Sequence, residues 1–421
     1  MQEDNEVNKI KAIYCKKLYD GTKAPGQENM VVIVDGEKIV DILPSSATEK
    51  IDAYNPEKID ASDKYLIPGL IDVHTHLMME GAGRLAEYTL ADLKLGEVHL
   101  LGLQNALKAL RAGVTTLRDV GSIGGVSRSV KDFINKGRIL GPEIYIAGMP
   151  ITSTGGHCNY MGGEADGVDA IRKLIRQQQK DGIDFVKVMA TAGGTIGVAR
   201  GNTFQPDEYK ACVDEAHKLG LKITMHCCSH DGCVVAAELG ADGMEHCMFY
   251  NDGEEPRRDE ALAQMCADKK IQMDHTLSAL GATLVMLDAK PREEWTDFEH
   301  YEYNRISESQ RKLYETMRFQ YEMGCELVAG SDSGWKHCDF SVGMGITLML
   351  MGQNGIPLDE VLVAATSRPA KYLGIEDKVG TIKTGMQADI VLLDKDPMTE
   401  VDAYRHVNKV FKKGILVDQL I

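Results

Sequence analysis

Apolar positions along the chain follow two rhythms, and the change between them divides the sequence. Near the amino end, NMVVIVDGEKIVDIL contains two apolar runs separated by Asp35-Gly36, a dipeptide typical of a hairpin turn. Toward the carboxyl end, GTIKTGMQADIVLLDKDP and VNKVFKKGILVD again alternate short apolar runs with glycine turns. We therefore expect residues 1–65 and 374–421 to combine into one small β-sandwich module that encloses an inserted domain.

The inserted part, residues 66–373, alternates short apolar runs with helical patterns. In the helix QPDEYKACVDEAHKLG, Pro206 suits the first turn and Gly220 suits the end. Eight apolar runs are interpreted as buried strands: LIPGLIDVHTH (66–76), VTTLRDVG (114–121), EIYIAGMPI (143–151), FVKVMAT (185–191), KITMHC (222–227), GMEHC (243–247), QMDHT (272–276) and LVAGSDS (327–333). Eight strand–helix units over roughly 300 residues predict an α/β fold, a (β/α)8 TIM barrel. A doubly wound sheet is the alternative, but no GxGxxG follows the first strand to support it.

One long charged stretch, residues 291–324, interrupts this alternation. Its composition predicts a solvent-exposed helix, and a lid over the mouth of the barrel is the alternative.

Polar residues that can bind metal ions close four of the predicted strands. The first ends in His74-Thr75-His76, the fifth at His226, the sixth at His246 and the eighth at Asp332. Side chains at i and i+2 of a strand share a face, and active sites of such barrels lie at the carboxyl ends of the strands. A lone histidine in a strand is more often a satisfied core residue. Five such residues in this order are hard to obtain by chance, so the set indicates a metal site.

The fourth strand carries a lysine, Lys187, between two valines. Burying an ammonium group costs several kcal/mol unless the charge is paired or neutralised. One interpretation is a side chain that reaches water past the rim of the barrel. The other is that Lys187 belongs to the metal site.

These motifs resemble the amidohydrolase superfamily. The stretch IPGLIDVHTHL is similar to its strand-one signature, and the ordered set HxH, Lys, His, His, Asp resembles its binuclear-metal subtype. The stretches ITSTGGHC, VKVMATAGG and ADGMEHC resemble the branch of metal-dependent dipeptidases (Xaa-Pro/Xaa-Arg type) and imidazolonepropionases. The resemblance covers nearly the whole chain, including the terminal β-module.

The resemblance implies a ligand set for two divalent metal ions. His74, His76 and Asp332 would bind the more buried ion, and His226 and His246 the more exposed one. Lys187, carboxylated by carbon dioxide to N6-carboxylysine, would bridge both, because a carbamate is an anionic oxygen ligand. Imidazole and carboxylate ligands suit zinc, with manganese and iron as alternatives.

The implied activity is hydrolysis of an amide bond in a small substrate such as a dipeptide or N-acyl amino acid. A hydroxide bridging the metals would attack the carbonyl carbon, and Asp332 would act as general base and then as general acid. His157, in the loop after strand three, would donate a hydrogen bond to the developing oxyanion. Hydrolysis of a cyclic amide, as in hydantoinases or imidazolonepropionases, is the alternative. Ring deamination is disfavoured by Lys187 and by the absence of HxxE, and a non-catalytic scaffold by the complete ligand set.

Four further residues are candidate substrate contacts. Related peptidases often carry Tyr or His two positions after the strand-five histidine, where it can hold the substrate carboxylate. This chain has Cys228 there, a poor carboxylate partner, with His230 two positions further on. His275 stands where relatives often have proline, and Arg200 lies beyond strand four. Either could contact the substrate.

Composition narrows the class of protein further. The 421 residues are 43% hydrophobic and 26% charged, and no apolar run reaches the roughly 18 residues of a membrane span. The net charge of -16 argues against nucleic acid as a partner. The polar, acidic first residues resemble neither a secretory signal nor a transit peptide, and the ten cysteines show no disulfide-scaffold pattern. We expect a cytoplasmic enzyme with a small-molecule amide or peptide substrate, no membrane partner and a homo-oligomeric state.

Overall fold

The structure, a computed structural model, describes residues 9–198 and 201–417. The strands in these ranges are β1 (Lys11–Leu18), β2 (Gln27–Asp35), β3 (Lys38–Pro44), β4 (Glu57–Pro68), β5 (Leu70–Thr75), β6 (Val114–Asp119), β7 (Glu143–Ile146), β8 (Phe185–Val188), β9 (Lys222–His226), β10 (Gly243–Glu245), β11 (Gln272–Asp274), β12 (Glu326–Val328), β13 (Ile390–Leu393), β14 (Val407–Lys412) and β15 (Ile415–Leu416). The α-helices are α1 (Thr48–Asp52), α2 (Ala86–Asp92), α3 (Leu95–Arg111), α4 (Val126–Asn135), α5 (Val168–Lys180), α6 (Pro206–Lys218), α7 (His230–Leu239), α8 (Glu260–Asp268), α9 (Ser278–Asp288), α10 (Asp297–Glu322), α11 (Gly343–Gln353), α12 (Leu358–Ala364) and α13 (Ser367–Leu373).

The two ends of the chain build one seven-stranded sheet. Its strand order is β15-β14-β13-β4-β1-β2-β3. The predicted hairpin is confirmed: β2 and β3 pair antiparallel, and Gly36 turns between them with φ 52°. The sheet curls, because the backbone N–H of Ile39 in β3 donates to the Met386 carbonyl just before β13, at 2.9 Å. One apolar cluster fills the curl, with Ile13, Val32 and Phe411 among its members.

The inserted part carries eight parallel strands in two sheets. The orders are β5-β6-β7 and β12-β11-β10-β9-β8, with helices between successive strands. Parallel bridges link the sheets at both edges, one between Ile151 and Val188 and one between Thr75 and Ser333. The main apolar core lies between these strands and their helices. All eight strands therefore present their carboxyl ends on the same side.

The first predicted strand, residues 66–76, is divided at Gly69. Its first part belongs to β4 in the terminal sheet, and its second part is β5. A Cβ atom at Gly69 would lie 2.1 Å from the Thr115 hydroxyl oxygen, so only glycine fits where the chain passes between the two sheets. The position immediately before β5 is thereby fixed against β6.

The long charged stretch forms α10, but this helix is not simply solvated. Thr296 caps its amino end by accepting a hydrogen bond from the Glu299 backbone N–H at 3.2 Å. Ile306, Leu313 and Met317 form part of a buried face. That face packs against α9 and brings α10 to the carboxyl ends of the barrel strands.

Two further sequence expectations concern single elements. Helix α6 begins at Pro206 and is followed by Gly220 with φ 73°, as predicted. All ten cysteines are free thiols.

Among residues 9–198 and 201–417, no helix combines the length and the apolar character needed to cross a bilayer.

Candidate metal centre

Six ligand-type side chains meet at the carboxyl ends of the parallel strands. His74 lies in β5 with His76 just beyond it, His226 ends β9, His246 follows β10 and Asp332 follows β12. The ring centroids of His74 and His246 are 5.2 Å apart, and those of His226 and His246 are 4.4 Å apart. Asp332 Oδ1 lies 3.6 Å from His74 Nε2 and 3.5 Å from His76 Nε2. The structure thus brings together the residues that the sequence placed on separate strands.

The sixth side chain, Lys187, is in β8 and is only 1% exposed. It lines the same cavity as the four histidines and Asp332. Within residues 9–198 and 201–417, no group forms a hydrogen bond with its Nζ atom. Lys187 is therefore a buried amine that lines the cavity beside the candidate metal ligands.

The donor set fits divalent metal ions in its chemistry. His74, His246 and Asp332 offer ligand atoms within 4.8 Å of one another, and so do His226, Cys228 and His246. Burial is the main cause that holds the pKa of both His226 and His246 well below the usual range, with the neighbouring histidines adding to it. Neutral imidazole is the form that binds metals.

The protein orients several of these rings through their second nitrogen. His74 Nδ1 lies 2.7 Å from Glu245 Oε2, and His76 Nδ1 lies 3.1 Å from the Gly121 carbonyl oxygen. His246 Nδ1 lies 2.7 Å from the Thr276 hydroxyl. When Nδ1 is bound to the protein in this way, Nε2 is left for a metal ion, which is the usual arrangement at histidine metal sites.

A buried charge network stands behind His74. Glu245 Oε1 accepts hydrogen bonds from Arg118 at 2.5 Å and from the Thr224 hydroxyl at 2.6 Å. Although burial opposes it, the Arg118 guanidinium holds the pKa of Glu245 well below its usual range. Burial is the largest single influence on His74 and works to lower its pKa, but the Glu245 and Asp332 charges and the Asp274 hydrogen bond together raise the pKa to about 9. A second carboxylate, Asp274 Oδ2, lies 3.1 Å from His74 Nδ1.

His157 forms the opposite wall of the centre. Its ring centroid is 4.4 Å from that of His226, and its Nδ1 is 2.7 Å from the Thr195 hydroxyl. The Cys158 backbone N–H donates to the same hydroxyl oxygen at 3.0 Å, and the Thr195 hydroxyl can pair with either tautomer of the ring. Burial, with Lys187 as the next cause, lowers the pKa of His157 to about 3. When the Thr195 hydroxyl donates to Nδ1, the neutral ring carries its own proton on Nε2.

Backbone strain is concentrated at this centre. Five of the non-glycine residues with positive φ lie in or beside it: Cys158 (59°), His246 (67°), Cys247 (50°), Thr276 (45°) and Asp332 (58°). Each such conformation costs on the order of 1–3 kcal/mol and persists only where the surroundings enforce it. In His246 it follows directly on the end of β10, and in Asp332 it comes four residues after the end of β12.

The centre opens into a cavity of about 930 Å³. Its wall includes apolar side chains such as Met189, Met248 and Trp335, and two cations, Arg305 of α10 and Lys336. This volume lies in the range of small-molecule sites.

Two of the expected substrate contacts, His230 and His275, are not found in this wall. His230 bonds Asp259 at 3.0 Å and Arg257 at 3.2 Å, and it is absent from the cavity lining. His275 Nε2 faces Gln320 Oε1 at 2.5 Å, also away from the cavity. Arg200 lies outside the described residues. Cys228 and His157 do line the cavity.

Sequence reasoning missed Glu245, Asp274, Thr195 and Arg118. The sequence did contain a signal for Glu245 and Asp274, the same one that singled out Lys187. Each is a charged residue inside a short apolar run. Because neighbouring side chains of a strand point to opposite faces, choosing His275 in place of Asp274 selected the wrong face. Glu245 and Asp274 are direct partners in the pairing of β10 with β11.

Comparison with known proteins agrees with this geometry. The sequence model described as the amidohydrolase family matches residues 65–417. Ochratoxinase from Aspergillus niger is 24% identical over 443 residues, which cover 97% of this chain and 86% of the relative. Imidazolonepropionase from Fusobacterium nucleatum subsp. nucleatum is 23% identical over 459 residues, covering 99% of each. The crystal structure of a Xaa-Pro dipeptidase with bound methionine in the active site has a TM-score of 0.79 at 26% identity, covering 97% of this chain and 99% of the other.

We expect Glu245→Gln to lower metal affinity about 10- to 100-fold, since the neutral amide no longer orients and polarises His74. Chelator competition on the folded variant measures this. Asp274→Asn, which keeps the Arg118–Glu245 pair, should give a smaller loss. Glu302→Gln, a matched change at a carboxylate that instead binds Lys336, should leave metal affinity unchanged. Equal affinities for wild type and Glu245→Gln would remove Glu245 from the metal centre.

Proposed function

The chain belongs to the amidohydrolase family and is a hydrolytic enzyme acting on carbon–nitrogen bonds, and on that premise we propose that it cleaves the amide bond of a dipeptide or an N-acyl amino acid at a two-metal centre. The observation that carries the proposal is the convergence of His74, His76, His226, His246 and Asp332 around Lys187 at the floor of one cavity. The family generally uses a divalent metal centre. Zinc is the proposed metal, because imidazole and carboxylate ligands suit it.

Lys187 is proposed to be N6-carboxylysine. Its ammonium group would first lose one proton to solvent, and the neutral amine would then attack carbon dioxide, form a nitrogen–carbon bond and release a second proton. The two protons lost turn a buried cation into a carbamate anion. The burial of Lys187 and the lack of a hydrogen-bond partner for Nζ within residues 9–198 and 201–417 support this. The carbamate would add anionic oxygen ligands to the two sets of residues that would hold the metal ions, His74, His76 and Asp332 in one and His226 and His246 in the other.

The metal ions, when bound, supply an activated water and a Lewis acid for the amide carbonyl. The protein's own groups handle the protons. Asp332 takes up the proton of the attacking water and delivers it to the leaving amine. His157 donates its Nε2–H to the developing oxyanion, and the Thr195 hydroxyl on Nδ1 holds the ring in that tautomer.

The cavity wall supports a substrate with an apolar part and an acidic group. Arg305 and Lys336 share one carboxylate, Glu302, at 3.3 Å and 2.7 Å, so this group of three side chains has one positive charge in excess, while Asp231 and Asp252 also line the cavity. This excess can receive a substrate carboxylate, for which Cys228 is a poor partner. Met189 and Trp335 would contact the apolar part.

The architecture belongs to the same proposal. The bridges at both edges of the two barrel sheets, together with the structural relatives, support a closed (β/α)8 barrel. Residues 1–65 and 374–421 would form the separate β-module, and a homo-oligomer is the proposed assembly.

We expect the zinc-loaded protein to hydrolyse N-acyl amino acids and dipeptides with kcat/KM at least about 10-fold above that for hydantoins and lactams, because the excess positive charge selects an acidic substrate. Parallel assays of free acids, their amides and the cyclic compounds measure this. A preference for cyclic compounds would favour the alternative of cyclic-amide hydrolysis, the class to which the related imidazolonepropionase points.

We expect Asp332→Asn to keep nearly all its metal and to lose kcat by about 10²–10⁴-fold, since an amide cannot move the proton. Metal analysis and steady-state kinetics measure the two effects. Asp231→Asn, at a cavity-lining carboxylate whose side chain is 63% exposed, is the matched control and should keep its kcat. Near-normal turnover in Asp332→Asn would remove Asp332 from the proton-transfer role.

We expect Lys187→Ala to lose both metal and activity, because the anionic bridge is gone, and short carboxylic acids to restore both in part. Metal content and activity with and without added acetate or propionate measure this. Lys222→Ala is the control: that lysine begins β9 at the opposite end of the barrel and donates to the Tyr372 carbonyl. A fully active, metal-replete Lys187→Ala protein would contradict the carbamate.

A further inference from the structure

We propose that Cys228 is a thiolate ligand of the metal ion held by His226 and His246. The assignment rests on the proposed two-metal centre and adds a soft donor that its ligand set lacks. It replaces the substrate contact expected for this residue from the sequence.

Geometry places the sulfur within reach of that metal position. Cys228 Sγ and one ring nitrogen each of His226 and His246 all lie within 4.8 Å of one another. Atoms that share one metal ion at bond lengths of about 2.0–2.3 Å are separated by about 3.5 Å, so a small adjustment of side chains closes the set. Cys228 also lines the cavity in which both rings lie.

One hydroxyl fixes the backbone that carries this thiol. The Cys228 N–H donates to Thr191 Oγ1 at 2.9 Å, and Thr191 Oγ1 also lies 3.3 Å from the His226 carbonyl oxygen. Thr191 itself is 1% exposed. His226 and Cys228 are therefore held by the same group, and the distance between imidazole and sulfur does not depend on a mobile loop.

Cys228 differs from the neighbouring cysteines in its hydrogen bonding. Cys227 Sγ bonds the Gly232 carbonyl at 3.6 Å, Cys247 Sγ bonds the Met244 carbonyl at 3.2 Å, and Cys233 Sγ bonds the Met248 carbonyl at 3.6 Å. Within residues 9–198 and 201–417, Cys228 Sγ has no hydrogen bond. A cavity-facing thiol without a partner, beside two imidazoles, has the surroundings of a metal ligand and not those of a packed core residue.

Ligation has a defined chemical balance and a defined consequence. The thiol proton leaves to solvent as the sulfur–metal bond forms, so no redox partner is needed. A thiolate favours zinc or cadmium over manganese or magnesium, which take oxygen ligands. The metal position at His226 should therefore be thiophilic, and the position at His74 and His76 should not.

The test uses the full chain loaded with cobalt(II), whose thiolate complexes absorb in the near ultraviolet. We expect two cobalt ions per chain and a near-ultraviolet band that Cys228→Ser loses. Cys227→Ser is the matched control, since its sulfur bonds the backbone, and it should keep the band. The ratio of cadmium to manganese affinity should also fall about 10-fold or more in Cys228→Ser, in line with the loss of one ligand.

The outcomes separate this inference from the proposed function. Two bound cobalt ions with no near-ultraviolet band in the wild type would overturn Cys228 ligation and leave the two-metal hydrolase intact, a result that needs no variant to fold. A band lost in Cys158→Ser but kept in Cys228→Ser would also overturn it, by giving the role to the other cavity thiol. Absence of bound cobalt altogether would overturn both.

Discussion

Everything at the centre of this barrel depends on neutralising buried charge. Glu245 is fully buried, and its two oxygens are bound by Arg118, Thr224 and His74. Without Arg118 the carboxylate would be an unpaired charge, a state that costs several kcal/mol. Without Glu245 the His74 ring would lose the contact that sets its orientation. The metal-ligand geometry is thus a consequence of an ion pair lying one layer below it.

The same constraint explains the asymmetry of the centre. Carboxylates lie behind His74, whereas neutral acceptors or hydroxyls lie behind His76, His157 and His246. Histidines without a carboxylate keep a low pKa under the dominant influence of burial. Left-handed backbone then occurs at two of the inward-facing side chains, at His246 directly after β10 and at Asp332 four residues after β12. The strained backbone lies where the position of the candidate ligands matters. The paired strands and packed helices around these residues stabilise the strained conformation.

Much of the fold, and the meeting of the candidate ligand residues in one place, could be predicted from the sequence, and the limits have physical causes. Strand apolarity and helix punctuation are local, so the eight strand–helix units could be predicted, and the ligand residues stand out because they close those strands. The division of residues 66–76 at Gly69 could not, because it depends on contact with Thr115 across the sheet. Which of Asp274 and His275 points toward the centre depends on where β11 ends, and a shift of one residue in that position exchanges the two faces. Arg118 and Glu245 are distant in the chain, so their pairing could be recognised only from the structure, where their strands lie close together.

The terminal sheet has a consequence for the order in which the chain is made. Strands β13 and β14, which complete that sheet on one side of β4, lie more than three hundred residues after it in sequence. During synthesis, β1 to β4 would remain without these partners until β13 and β14 leave the ribosome. The parallel strands β5 to β12, which come earlier in the chain, would by then already be available to pair. Loss of the last strands would therefore expose the apolar inner face that Phe411 covers, and such a product would aggregate even though every metal-ligand residue had been made.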